Sequence, residues 1–278
     1  MPTIDREGAP LHYEVFGTKG PAVLLVQGCG VPGQGWGPQV EALARGHRVA
    51  VFDHRGIGKS GLGGPVTIAA MVGDATALLD ALGWSSAHVV GHSMGGVVAQ
   101  QLALDAPARV RSLSLLCTFW RGRDGARLTA WILWISLRLR IGTRAARRRA
   151  FIEMVMPRSL LATCDVDAMA AAIGLVFGRD HADQPTIAMQ QVKALGAHDA
   201  SALLDRLSSI PTLVVSATED RVAPKEQGRA LAKAIAGARY VEIEDAAHGV
   251  VIQKAEEINA LLEEHIASAE RARGARRA

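Results

Sequence analysis

The chain has 278 residues, 49% of them hydrophobic and 21% charged, which excludes a disordered protein and fits one large α/β domain with an insert or two small domains. Its net charge of +4 gathers in Arg138–Arg149 and in the tail from Arg271, basic runs without interleaved aromatics that read as solvated faces, not as a nucleic-acid surface. Cys29, Cys117 and Cys164 are too widely spaced for a disulfide framework or a metal site, the N-terminus has no signal-peptide pattern, and no apolar run approaches the ~20 residues of a membrane span, so the expected compartment is the cytoplasm.

The first predicted element is a β-hairpin over residues 2–16 with its turn at Glu7-Gly8. Residues 22–26, "AVLLV", form a continuous apolar run, the pattern of a strand buried on both faces. A short helix stopped by Gly46 precedes the strand "RVAVFD" (48–53). Apolar residues at helical spacing fill 67–82, "AHVVG" (87–91) is a strand, "GGVVAQQLALDAP" a helix ended by Pro107, and "VRSLSLLC" (110–117) a strand. Strands alternating with helices imply a parallel sheet with helices on both faces.

The alternation stops at Thr118. As far as about Ala202 the chain is helical in character, and it holds the arginine cluster with Trp120, Trp131 and Trp134. Alternation resumes with "PTLVVSA" (211–217), the helix "PKEQGRALAKAIAG", the strand "RYVEIED" (239–245) and a last helix from about Val251 to Ala269. The chain therefore divides into a core of residues 1–118 and 203–270, a helical insert of residues 119–202, and a basic tail, 271–278, expected to be disordered.

Two glycine motifs compete to carry the function. The first, Gly28-x-Gly30-x-x-Gly33, follows a strand, and Asp53 ends the next strand about where a dinucleotide site places its ribose-binding acid. The second, Gly91-His92-Ser93-Met94-Gly95, lies between a strand and a helix. A strand-to-helix turn this sharp pushes its central side chain out above the sheet, and glycines on either side remove the Cβ atoms that would collide. Ser93 is the candidate nucleophile, and the Met94 N–H at the new helix's start is a candidate oxyanion donor.

A serine needs a base, and the base an orienting carboxylate. After "PTLVVSA" comes "TEDRVAP" with Glu219 and Asp220, of which Asp220 is the preferred acid. After "RYVEIED" comes "AAHGV" with His248, the candidate base. Asp245, three residues before it, reads as a loop-capping acid. The other histidines fit less well. His12, His47, His54 and His88 precede the serine, and His92 lies inside the turn. His181 and His198 belong to the insert, and His265 is expected to face out on the last helix.

The segments "VQGCG" (26–30), "FDHRGIGKSG" (52–61), "GHSMGG" (91–96), "IPTLVVSATEDRVAP" (210–224) and "DAAHG" (245–249) together resemble the α/β-hydrolase family along nearly the whole chain. The resemblance implies an eight-stranded, mostly parallel sheet with a helical cap inserted after the sixth strand. It implies Ser93 as nucleophile, Asp220 as acid, His248 as base, and the Cys29 N–H as second oxyanion donor. Many members have His where this chain has Gln27, an amide that can also donate and accept. The loop at 28–33 then serves an oxyanion and not a pyrophosphate. Pro32 removes an N–H, "GQGWGPQ" is expected to delay any helix past the third glycine, and a hairpin precedes the strand. Asp53 becomes a structural residue of "DHRGIG".

The expected reaction is cleavage of a carboxylic ester or lactone of a small to medium hydrophobic substrate, without cofactor or metal. The alternatives are a carbon–carbon bond hydrolase, a cofactor-free haloperoxidase-like enzyme, and a slow-turnover ligand receptor of the same fold. Trp120, Trp131 and Trp134 are the candidate substrate-binding residues, and Arg121 and Arg123 read as solvated or as carboxylate ligands. The expected partner is a small-molecule substrate, with a homodimer left open and neither nucleic acid nor a membrane span implied.

Overall fold

The computed structural model describes residues 2–125 and 129–275. Strands β1 (Thr3–Arg6) and β2 (Ala9–Phe16) pair as an antiparallel hairpin whose turn residues Glu7 and Gly8 both have positive φ. Two left-handed residues in a row give the turn whose twist matches the flanking strands. The elements β3 (Ala22–Val26), α1 (Gly37–Leu43), β4 (Arg48–Phe52), α2 (Ile68–Ala81), β5 (Ala87–His92), α3 (Met94–Asp105) and β6 (Val110–Leu116) follow the predicted alternation. All five residues of β3 are buried because it has a parallel neighbour on each edge and helices over both faces.

Between β6 and the next strand lies a helical insertion of α4 (Gly122–Gly125), α5 (Ala130–Arg138), α6 (Arg144–Val155), α7 (Arg158–Thr163), α8 (Val166–Phe177) and α9 (Ala188–Gly196). Side-chain caps from Thr129, Thr143 and Asp165 start three of these helices, each accepting from N–H groups of the first turn. The two chain segments entering and leaving the insertion are tied by Gly122 N–H to His198 O at 2.9 Å and Ala200 N–H to Trp120 O at 3.0 Å. This neck contains the single bridge Arg121–Asp199 and no strand among the described residues.

Strand β7 (Thr212–Ala217), α10 (Lys225–Ala234), β8 (Arg239–Ile243), α11 (Val250–Gln253) and α12 (Ala255–Ala275) complete the chain. The eight strands form one sheet in the order β1-β2-β4-β3-β5-β6-β7-β8. Only the β1–β2 and β2–β4 pairs are antiparallel. One continuous apolar core covers the sheet, and a smaller cluster around Phe151, Ile152, Ile173 and Phe177 holds the insertion together. No helix of the described residues is long and apolar enough to cross a membrane.

Three expectations are corrected. Residues 271–275 continue α12 in place of a disordered tail, and residues 276–278 lie outside the described residues. His265 is buried on α12, not facing out. A turn of 3-10 helix, Gly33–Trp36, begins at the third glycine of the first motif, where no helix was expected. Pro32 supplies the extended residue before it, and the Gly33 N–H is used up by Asp53 Oδ1 at 2.7 Å.

Candidate active site

Parallel strands point their C-terminal ends to one edge, and the loops after β3, β5, β7 and β8 meet there. At the turn after β5, Ser93 has φ 54° and ψ −122°, a conformation few side chains tolerate. The glycines around it are needed. A Cβ on Gly91 would lie 2.3 Å from the Gly95 carbonyl oxygen, and one on Gly95 would lie 2.0 Å from that of Val26. The turn is pinned to β6 by Ser93 N–H to Leu116 O at 3.0 Å and by Thr118 Oγ1 donating to Ser93 O at 2.7 Å.

Three predicted residues converge although they come from three loops. His248 Nε2 lies 3.0 Å from Ser93 Oγ, and His248 Nδ1 lies 2.8 Å from Asp220 Oδ2. The other oxygen of Asp220 accepts from Val222 N–H at 2.8 Å and Ala223 N–H at 2.9 Å, so the carboxylate is fixed by its own loop. A line of serine, imidazole and carboxylate at these distances can take the hydroxyl proton and hold the resulting imidazolium. Glu219 and Asp245 stand outside it. Glu219 accepts from Arg158 N–H, and Asp245 bonds Ser159 and Gln253.

The first glycine motif supplies backbone to the same place. Its N–H groups at 28, 30 and 33 are taken by protein oxygens, Gln27 Oε1 at 2.8 Å, Gln191 Oε1 at 2.8 Å and Asp53 Oδ1. The N–H of Cys29 has no acceptor among the described residues, and neither has that of Met94. The Met94 N–H is the donor expected from the elbow, and the Cys29 N–H is the one that the family resemblance implies. Asp53 clamps the loop to its neighbour, since Oδ2 accepts from Lys59 N–H at 2.8 Å. Burial pushes the Cys29 thiol up to about 12, which leaves it a small protonated filler.

His92 is a residue that motif reading passed over. Its Nε2 lies 2.9 Å from the His248 carbonyl, its ring meets Trp36 edge-on, and burial lowers it to about 3, with the nearby His248 adding to the effect. A neutral ring facing a carbonyl carries its proton on Nε2. His92 thus donates to the main chain of the candidate base, and its Nδ1 sits 3.3 Å from Gln27 Oε1. Its place between the first glycine and the serine of the elbow is the only sequence signal it gives.

Above Ser93 and His248 lies a cavity of about 980 Å³, roofed by the insertion. Its walls are mostly apolar, with Ile132, Ile135 and Leu139 from α5 and its C-terminal end, Phe151 and Met154 from α6, and Phe177 from α8. None of the three tryptophans is among its lining residues. Positions 132, 135 and 139 share one face of a helix, so 131 and 134 fall on another. There Trp131 stacks under Arg221 and Trp134 under Arg138, while Trp120 donates to Ser201 Oγ at the neck. Arg123 is exposed and pairs with Asp199, and neither it nor Arg121 lines the cavity.

The sequence matches the family described as alpha/beta hydrolase fold over residues 21–147 and the one described as TAP-like protein over residues 176–276. The RutD protein of Azorhizobium caulinodans, whose name proposes a carbamate hydrolase, is 34% identical over 251 residues, 89% of this chain and 91% of that one. The enol-lactonase of Burkholderia xenovorans LB400 superposes with a TM-score of 0.80 at 28% identity, covering 96% of this chain and 100% of that one. An esterase of Thermogutta terrifontis superposes with a TM-score of 0.77 at 27% identity, covering 96% and 97%. With its sheet order, its serine turn and these relatives, the chain belongs to the α/β-hydrolase fold family.

Proposed function

We propose that this chain is a serine hydrolase that cleaves a carboxylic ester or lactone of a medium-sized hydrophobic substrate through an acyl-enzyme on Ser93. The observation that carries the reading is the hydrogen-bonded line Asp220–His248–Ser93 opening into an apolar cavity. His248 takes the serine proton as Oγ attacks the carbonyl, and Asp220 holds the imidazole tautomer and its charged form. The N–H groups of Cys29 and Met94 receive the oxyanion, and the protonated His248 gives its proton to the leaving alkoxide. Water, activated by the same His248, then attacks the acyl carbonyl and restores Ser93.

The insertion acts as a cap in this reading and sets the acyl size. A cavity of about 980 Å³ stands at the upper end of the ~300–1,000 Å³ range of sites for drug-sized ligands. The name of the Azorhizobium relative favours a second reading, a carbamate, whose carbonyl bears nitrogen but reacts by the same steps. The volume favours the larger ester. The test compares p-nitrophenyl acetate, butyrate and octanoate, a γ-lactone and an aryl carbamate, each against Ser93→Ala. The account predicts ester turnover that rises with acyl length and vanishes in the variant. Turnover of the carbamate alone would replace the ester reading with the second one.

A further inference from the structure

Helix α6 carries four arginines, Arg144, Arg147, Arg148 and Arg149, and three of them are neutralised. Arg144 and Arg148 bind Asp180, Arg144 also binds Asp183, and Arg149 binds Asp167. Arg147 stands apart. It lies four and seven residues before Phe151 and Met154, on the helix face that lines the cavity above Ser93. Among the described residues it has no carboxylate partner, and its Nε is buried without an acceptor.

Arg179 enters the same wall from the loop after α8. Among the described residues its N–H groups reach only uncharged acceptors, the Gly30 carbonyl at 2.9 Å and the Asp183 carbonyl. Its Nε is likewise buried without an acceptor. The only acid among the described lining residues, Asp183, gives its carboxylate to Arg144. Arg140, a third guanidinium on the wall, bonds the Ser136 carbonyl and the Met189 sulfur. The cavity is thus apolar in surface with three guanidinium groups on its wall, and among the described residues none of the three is in ion-pair contact with a carboxylate, although the charges of Asp183 and Asp180 act on Arg179 from nearby.

A guanidinium held at an apolar wall without a counter-ion is costly and attracts an anion strongly when water is displaced. Its planar fork matches a carboxylate through two parallel N–H···O bonds. We propose that the substrate carries a carboxylate remote from its scissile carbonyl, and that Arg147 and Arg179 hold this carboxylate in the cavity wall. This rests on the acyl-transfer reading of Ser93. The part of the substrate between the two groups is hydrocarbon or aromatic, because the lining of the cavity is mainly apolar, with Phe151, Met154, Ile173 and Phe177 among it.

The test pairs substrates that differ only in the far end of the acyl chain, mono-p-nitrophenyl adipate and suberate against p-nitrophenyl hexanoate and octanoate. The kcat/KM ratio of acid to neutral ester is read within each protein, so that a loss of folded enzyme cancels. The expected ratio is about tenfold or more in the wild type, with the gain in KM, and it collapses toward one in Arg147→Met and in Arg179→Met. Arg148→Met, which removes a paired arginine, keeps the wild-type ratio. Calorimetry on Ser93→Ala separates binding from chemistry, and monomethyl adipate should bind more tightly than methyl hexanoate. Turnover of both esters with a ratio near one overturns the carboxylate site and leaves the hydrolase reading standing. Tight binding of monomethyl adipate without turnover of any ester upholds the site and overturns acyl transfer.

Discussion

Ser93 faces the cavity because of a backbone conformation that its own side chain disfavours, with φ at 54°. What holds it there is a set of contacts on three sides, from Leu116, from Thr118 and from the glycines that flank it. His92 extends this support to the base. Its N–H fixes the main chain of His248, which makes His92 a positioning residue for the proposed reaction. His92→Phe keeps the ring against Trp36 and removes the donor. We expect kcat to fall about tenfold with KM nearly unchanged, and His92→Gln, which can donate to the same carbonyl, to recover part of the loss. Equal losses in both variants would assign His92 to packing alone. The meeting of Ser93 and His248 was legible from the sequence because an elbow and a loop order constrain them locally. The role of His92 was not, because its partner lies 156 residues away and is a carbonyl, which every residue has.

At the scale of elements, the glycine loop after β3 is held from both sides by the insertion. Gln191 on α9 accepts the Gly30 N–H, and Arg179 donates to the Gly30 carbonyl. The insertion therefore both roofs the cavity and fixes the loop that carries the Cys29 N–H. Gln191→Ala leaves a buried N–H unpaired, so the protein should lose about 1–3 kcal/mol of stability and kcat for the ester should fall about tenfold. A loss of stability with unchanged kcat would contradict this coupling. At the elbow the constraint is steric. Gly95→Ala would press a methyl group into the Val26 carbonyl, and a loss of about 1–3 kcal/mol or more is expected in denaturant unfolding. The strands and their order of use were readable because apolar runs and helical spacing report burial directly. The tryptophans of α5 misled, because an aromatic at helical spacing does not reveal which face of a short helix turns inward. The arginines of α6 were visible as a cluster, yet only the positions of Asp167, Asp180 and Asp183 separate the paired ones from Arg147.

Over the whole molecule, burial has made several histidines poor bases. His88 and His92 are lowered to about 3 and His181 to about 4, in each case mainly by burial and then by a neighbouring side chain, Arg111, His248 and Arg179 respectively. The unfolded chain binds these protons near pH 6.5, so it holds more protons than the folded chain below that pH. Their contribution to stability is complete above pH 6.5 and is lost as pH falls from there toward 3–4, at up to ~1.4 kcal/mol per pH unit for each. The thermal midpoint should therefore drop steadily between pH 7 and pH 4.5, and His88→Gln should flatten the slope. A midpoint constant over that range would contradict the burial account. The parallel sheet of this molecule brings Gln27, Ser93, Asp220 and His248 to one edge, and from that edge the proposed chemistry follows. The measurement that tests it most directly is the intact mass of the protein during turnover of p-nitrophenyl octanoate, followed by digestion to locate the adduct. The account predicts an octanoyl group on the peptide that contains Ser93, absent from Ser93→Ala, which should also turn over the ester at least about a thousandfold more slowly. Equal turnover by the two proteins with no adduct would contradict it.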